Sequence, residues 1–90
     1  MDSREEITVR LTDLGSSRNI PLLFTRFCKG YWAGDACRLY RNARIQNDWS
    51  VVIEWSRVTD FQTMKTERDW LVWALENLGS VHVSLWEQWK

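Results

Sequence analysis

Alternating apolar and polar residues mark four segments of the chain as strands. Residues 7–12 and 49–55 alternate most regularly, which predicts strands with one buried face each. Residues 81–86 alternate in the same way, and residues 87–90 could prolong that strand. A further strand is predicted over residues 36–45 and is joined to the next one by a turn at Asn47 and Asp48.

Two other segments carry apolar residues at intervals of three and four, which is typical of a helix with one buried side. The first helix is predicted to begin after a cap at Asn19 and to end at Gly30. The second should begin after a cap at Thr59 or Asp60 and end at Gly79. The resulting order of elements is βαββαβ.

This order predicts an α+β, ferredoxin-like fold in a single domain over residues 1–90. Right-handed β-α-β crossovers give a four-stranded antiparallel sheet with both helices on one face and the first strand in the centre. The helices are expected to cover Ile7, Val9, Leu11, Leu39, Val51, Ile53, Val81 and Val83. The opposite face, called here the open face, carries Thr8, Arg10, Tyr40, Val52, Glu54, His82, Ser84 and Trp86.

The open face mixes aromatic, charged and small polar residues, so we expect a second copy of the chain to cover it. Arg10 and Glu54 lie on neighbouring strands and are predicted to pair across the ladder. The predicted homodimer interface consists of Arg10, Val52, Glu54, Trp86 and Trp89.

Charge and composition argue against nucleic-acid and membrane partners. Twelve basic residues balance twelve acidic ones, so the basic surface of a nucleic-acid binder is missing. An RNA-recognition module shares the βαββαβ order, but it needs a stacking aromatic on its first strand, where this chain has none. No apolar run approaches the roughly 20 residues that span a bilayer, and the first residues do not resemble a signal peptide, so we expect a cytoplasmic protein. Cys28 and Cys37 are expected to be free thiols, with a disulfide as the alternative.

Seven tryptophans in 90 residues exceed what a small core requires. A pocket between helices and sheet for a flat apolar ligand is predicted from Phe24, Phe27, Tyr31, Trp32, Trp49, Trp55, Trp70 and Trp73. For Trp55 a place in the core is an equally good interpretation. Trp70 and Trp73 lie beside the apolar stripe of the second helix, so a pocket mouth and a subunit contact both remain open for them.

Candidate chemistry in the sequence is sparse. His82 is the single histidine, so one chain cannot build a site with two histidine ligands, and no metal is predicted. His82 could accept a proton from a phenol, since its ordinary pKa is about 6.5, or it could hydrogen-bond at a subunit interface. Tyr40 is the second candidate catalytic residue.

Two local patterns carry a resemblance to a known group of proteins. One is a glycine followed by cysteine-x-x-tyrosine, at Gly34, Cys37 and Tyr40, and the other is an acidic residue and tryptophan leading to a helix, from Glu54 to Phe61. The chain resembles dimeric α+β barrel proteins, and within them the antibiotic-biosynthesis monooxygenase branch. This resemblance implies a homodimer with a small pocket in each chain. It also implies an enzyme that oxidises an aromatic substrate in that pocket and uses no cofactor, neither metal nor flavin.

The haem-degrading members of that group carry an asparagine on the first strand, with a tryptophan and a histidine on the second helix. Those positions are not matched here, and Met64 and Lys65 occupy the region where the broader branch often has a histidine. Two function classes therefore remain: a monooxygenase-like protein acting on an apolar aromatic substrate, and a non-catalytic small-molecule-binding or assembly module.

Overall fold

The computed structural model describes residues 2–28 and 36–90. Its elements follow the predicted βαββαβ order: β1 (Ser3–Leu11), α1 (Asn19–Cys28), β2 (Cys37–Arg41), β3 (Asp48–Glu54), α2 (Phe61–Glu76) and β4 (Gly79–Glu87). Two short 3₁₀ helices, Leu14–Arg18 and Trp55–Arg57, precede α1 and follow β3. Neither described helix has the length and apolar character needed to cross a membrane.

The four strands form one antiparallel sheet in the order β2-β3-β1-β4, which confirms the predicted fold class and the central place of β1. Ile7 lies between Val51 on β3 and Val83 on β4. Because side chains alternate along a strand, this register places every residue that the sequence assigned to the helix-covered face on one side. The open face also has its predicted members.

The core lies between the sheet and the two helices. Ile20 and Phe27 of α1 and Met64, Leu71 and Leu75 of α2 are fully buried against the sheet. The three α2 residues recur at the spacing of one helix face, so burial of this stripe drives α2 onto the sheet. Truncating one of these large side chains to alanine should cost about 2–5 kcal/mol.

The strand β2 is shorter than predicted, because the chain turns directly after it. The Asn42 side-chain oxygen accepts hydrogen bonds from the backbone N–H groups of Arg44 and Ile45, at 2.8 and 2.9 Å. An asparagine that bonds its own following backbone favours a turn over a strand. The turn therefore spans residues 42–47, and β3 begins at Asp48.

The caps of α2 show where this helix begins and where it ends. Asp60 is the N-cap, since its carboxylate accepts from the backbone N–H of Thr63 at 3.0 Å and from the Thr63 hydroxyl at 2.7 Å. At the other end Asn77 is the C-cap, so the prediction that Gly79 ends the helix is wrong. Gly79 opens β4, where a Cβ atom would collide with the backbone carbonyl of Arg10.

The start of α1 also differs in detail from the prediction. The 3₁₀ helix Leu14–Arg18 leads straight into α1, so Asn19 is the first residue of α1 and not a cap before it. The Asp13 carboxylate caps this short helix by accepting from the backbone N–H of Gly15 at 2.9 Å. The predicted helix end at Gly30 lies outside the described residues.

The predicted ion pair between Arg10 and Glu54 is wrong. Arg10 lies directly opposite Asp48 and binds both of its carboxylate oxygens, at 2.7 and 2.8 Å. Glu54 lies opposite Arg4, six residues away along β1, or about 20 Å at the rise of a strand. The register of β3 against β1 therefore selects the partner of each charge.

Candidate small-molecule site beside Trp55

A cavity of about 390 Å³ opens beside Trp55, between β1, the first turns of α2 and the edge strand β4. Its volume lies within the range of small-molecule sites, about 300–1,000 Å³. We call it the Trp55 cavity; it is lined by Ser3, Glu5, Trp55, Phe61, Lys65, Arg68, Asp69 and Leu85.

One wall of the Trp55 cavity is aromatic and apolar. The rings of Trp55 and Phe61 lie 5.2 Å apart between centroids and are tilted by 48°. The 3₁₀ turn after β3 positions Trp55, and the Asp60 cap fixes Phe61 as the first residue of α2. Phe61 and Leu85 remain 55% and 62% exposed, so a flat apolar ligand would remove water from both.

A second part of the lining is an ion pair between Glu5 of β1 and Arg68 of α2. The Glu5 carboxylate accepts from Nε of Arg68 at 3.1 Å and from Nη2 at 3.0 Å. Glu5 is 7% exposed and is the one buried charged or polar residue of the part of the chain that the structure describes. Its carboxylate raises the pKa of Arg68, so the guanidinium keeps its charge.

The guanidinium of Arg68 has hydrogen-bonding capacity left for a ligand. Two of its five N–H groups donate to Glu5 and one donates from Nη1 to Asp69 at 2.9 Å. The remaining two donate in no hydrogen bond between described residues, and Arg68 lines the cavity. The Trp55 cavity thus combines aromatic rings for a flat body with a fixed cation for a polar edge.

Sequence reasoning missed Glu5 and Arg68 as site residues, although a signal was present. Glu5 has the same parity as Ile7, and Arg68 falls on the apolar stripe of the second helix. Two opposite charges at core-facing positions indicate a buried pair, because either charge alone would be costly to bury.

The aromatic residues predicted to form one pocket are divided between separate places. Trp70 and Trp73 lie in a groove of about 550 Å³ between α1 and α2, where the Arg26 guanidinium covers the Trp70 ring at 4.7 Å. Trp73 is 63% exposed there. Trp55 alone of the described members of that set lines the Trp55 cavity.

The other members of the set lie in or against the core. Phe27 is fully buried, and Phe24 packs against the core cluster. Trp49 also packs there with the Arg41 guanidinium 5.1 Å above its ring, and its indole Nε1 is buried without a hydrogen-bond partner among the described residues. Tyr31 and Trp32 lie outside the described residues.

The two candidate catalytic residues, His82 and Tyr40, lie on the open face and not in the Trp55 cavity. They belong to one cross-strand row, in which Ser50 and Thr8 lie between them. Three strand spacings correspond to about 14 Å, too far for both to contact one small ligand. Within one chain the structure therefore does not bring them together with each other or with the aromatic wall, and their catalytic role stays a prediction.

The residues predicted for the dimer interface differ in how much surface they offer. Trp86 and Trp89 are 59% and 91% exposed. Val52 is already buried within one chain, and Arg10 is engaged by Asp48. Among the described residues no group of three His, Cys, Asp or Glu side chains is arranged to hold a metal ion.

Comparison with known proteins identifies the fold. No protein-family model matches the chain, and no curated protein matches its sequence. A mutant of SnoaB, a cofactor-independent oxygenase from Streptomyces nogalater, superposes with a TM-score of 0.68 at 11% identity, covering 99% of this chain and 94% of that one. An antibiotic biosynthesis monooxygenase gives 0.65 at 9% identity, with 96% and 97% covered.

A third solved structure, a dimeric ferredoxin-like protein from an uncultured marine organism, gives a TM-score of 0.60 at 12% identity. The superposition covers 93% of this chain and 84% of the marine protein's chain. At sequence identities this low, the structural similarity shows a shared fold and nothing more. The chain shares the ferredoxin-like α+β fold of these solved structures, which is the fold that the resemblance carried by the sequence implies.

Proposed function

We propose that this chain forms a homodimeric, monooxygenase-like protein that binds a flat apolar aromatic molecule in the Trp55 cavity and oxidises it with O₂, using neither metal nor flavin. The observation that carries the proposal is the pairing of an aromatic wall with the Arg68 cation across one cavity of suitable size. The shared fold with a cofactor-independent oxygenase supports it.

The two walls define how the ligand would bind. Its rings would pack on Trp55 and Phe61, where aromatic pairs are favourable at centroid distances of about 4.5–7 Å. A phenolic or carbonyl oxygen at one edge would accept from the N–H groups of Arg68 that Glu5 and Asp69 leave free. The class of substrate is therefore a polycyclic phenol with apolar ring faces.

Arg68 also suggests how the substrate becomes reactive. A fixed positive charge beside a phenol favours its ionised form, and an ionised phenol can pass electron density to O₂. The proposed substrate also carries a CH₂ group in one non-aromatic ring, and in the net reaction this CH₂ becomes C=O because one oxygen atom of O₂ enters the product. The other oxygen atom leaves as water with the two hydrogen atoms.

Homodimer formation would cover the open face. Tyr40 and Trp86 leave large apolar areas exposed on it, at 47% and 59%. Exposed apolar patches of this kind mark interaction surfaces, and two such sheets can pack face to face. The dimeric state of a solved protein with this fold supports the same assembly.

Oxygen uptake tests the catalytic part of the proposal. Purified protein, dialysed against a chelator, should accelerate O₂ consumption by a panel of polycyclic phenols, and the product formed under isotopically labelled O₂ should carry one labelled atom. Replacing Arg68 by Met together with Glu5 by Leu, which leaves no buried charge unpaired, should abolish the acceleration. A bound phenol that consumes O₂ no faster than in buffer would contradict the oxygenase.

One observation favours a second candidate, the non-catalytic binding module. Both oxygens of Glu5 are engaged by Arg68, and His82 and Tyr40 face away from the Trp55 cavity, so the described cavity residues include no unpaired carboxylate or histidine to remove a proton. Saturable binding without oxygen uptake is the result that this candidate predicts.

A further inference from the structure

The groove between α1 and α2 is a second cavity, separate from the Trp55 cavity. Its volume of about 550 Å³ lies within the range of small-molecule sites, about 300–1,000 Å³. We call it the Trp73 groove; Trp73 lines it together with Leu22, Leu23, Arg26, Trp70 and Ala74. The two cavities share none of their described lining residues.

We propose that the Trp73 groove binds a fused-ring aromatic carboxylate. Trp70 and Trp73 supply flat aromatic surface and Arg26 supplies one positive charge, whereas the lining residues that the structure describes include no carboxylate. A ligand that complements this lining therefore has to bring the negative charge itself. The inference goes beyond the oxygenase activity, because it concerns a different site.

The two walls of the Trp73 groove leave large apolar side chains in water. Leu22 of α1 is 68% exposed and Trp73 of α2 is 63% exposed. An aromatic ligand between them would remove water from both, which is favourable in proportion to the apolar area that it covers. Its rings would also gain the offset or edge-to-face contacts that aromatic pairs prefer.

Arg26 provides the charge that selects the ligand. Its guanidinium lies 4.7 Å from the centroid of the Trp70 ring, a cation–π contact that holds it at the groove. Arg26 takes part in none of the ion pairs or side-chain hydrogen bonds between described residues. Its planar fork of N–H donors matches a carboxylate, which arginine binds through two parallel hydrogen bonds. One cation matches one negative charge, so a carboxylate fits better than a phosphate dianion.

The size of the Trp73 groove favours a small molecule over a protein. Along α1 it runs from Asn19 to Arg26, and along α2 and its cap from Trp70 to Asn77. Seven residues of helix span about 10 Å, which accommodates two fused rings and a carboxylate. A stable protein interface uses about 20–30 residues on each side, whereas the described lining of this groove has nine.

Titration with 2-naphthoate, followed by NMR of the ¹⁵N-labelled protein, tests the proposal. The seven tryptophans give seven indole N–H signals, which single Trp→Phe variants assign. Naphthoate should shift the Trp70 and Trp73 signals saturably, and Trp55→Leu should leave these shifts unchanged. The neutral analogue 2-naphthamide has the same rings without the charge and should bind at least about tenfold more weakly.

Two variants that lose the same charge separate a site from a general effect of net charge. Arg26→Met keeps the apolar stem and should bind naphthoate at least about tenfold more weakly than the wild type. Arg44→Met, in the turn over residues 42–47 and outside the groove lining, should stay within about twofold. Arg26 is exposed, so its variant should fold, which unshifted signals of the distant indoles would show.

Several results would overturn the proposal. They are the absence of any shift at millimolar naphthoate, a shift confined to Trp55, and naphthamide binding as tight as that of naphthoate. Equal affinities of Arg26→Met and Arg44→Met would overturn it as well. Sedimentation of the wild type as a species larger than a dimer, which Trp73→Arg dissociates, would assign the groove to a second copy of the chain and overturn the small-molecule site.

Discussion

Loss of the Arg68 guanidinium should be among the most damaging single substitutions in this domain. In Arg68→Met the apolar stem is kept, while the Glu5 carboxylate loses both of its guanidinium hydrogen bonds, at 3.1 and 3.0 Å. The Glu5 side chain is 9% exposed, so water cannot replace those donors without a rearrangement of β1 or α2.

The magnitude follows from the burial of the two partners. Removing one partner of a buried ion pair costs about 3–5 kcal/mol. The Arg68 side chain is 23% exposed, which allows some hydration of the site and favours the lower end, about 3 kcal/mol. Set against a typical domain stability of about 5–15 kcal/mol, that loss is large.

Urea unfolding followed by tryptophan fluorescence measures this loss. Protein concentration has to be the same for all variants, because dimer formation stabilises the folded chain by mass action. The matched control is the double variant Glu5→Leu with Arg68→Met, in which no charge is left unpaired. It should recover most of the lost stability, because an apolar pair often equals or exceeds a buried ion pair.

An Arg68→Met variant within about 0.5 kcal/mol of the wild type at neutral pH would refute the buried pair. A double variant no more stable than Arg68→Met would refute it equally.

Three further predictions concern backbone packing, acid stability and assembly. Gly79→Ala should lower the free energy of unfolding by about 3 kcal/mol, because the added Cβ atom would clash with the backbone carbonyl of Arg10. Urea unfolding measures this loss, and a near-neutral effect would contradict the close approach of β1 and β4. Hydrogen bonds from Thr63 lower the pKa of the Asp60 carboxyl, so the stability that the Asp60 cap contributes is complete above the ordinary pKa of 3.8 and is lost as the pH falls through the lowered pKa. Thermal melts of Asp60→Asn should lack this loss of stability at acidic pH. A variant with the pH profile of the wild type would contradict the role of Asp60 as the cap. Trp86→Arg should convert the expected dimer to a species of 10.8 kDa in sedimentation, and a wild type that sediments at that mass would contradict the dimer.

The sequence predicts the sheet well, because the signal for it is local. Alternation fixes which side of each strand is apolar, so the faces of Ile7, Val51 and Val83 follow without knowledge of the register. The Asp60 cap is equally local, since its carboxylate bonds the helix that it begins.

The features that the sequence left open depend on contacts between distant segments. The pairing of β1 with β3 gives Arg10 the partner Asp48 in place of Glu54. Packing of α1 on α2 assigns Trp73 to a groove of its own. No spacing rule along the chain anticipates these arrangements.

The site was only partly predictable for the same reason. The sequence left a core place and a pocket place as equally good interpretations of Trp55, because its cavity depends on Glu5, 50 positions earlier in the chain. A charged residue among the apolar residues of a strand indicates a buried ion pair only when a residue of opposite charge is also found at a core-facing position of α2.

Calorimetric titration with a polycyclic phenol tests whether the ligand binds in the Trp55 cavity, because Trp55→Leu and Trp73→Leu remove the same side chain from two different cavities. We expect Trp55→Leu to weaken binding about thirtyfold, the loss of a central contact worth about 2 kcal/mol. Trp73→Leu should leave affinity within about twofold of the wild type, a change of less than about 0.5 kcal/mol. The reverse order, or a folded Trp55→Leu protein that binds as tightly as the wild type, would contradict the assignment of the site.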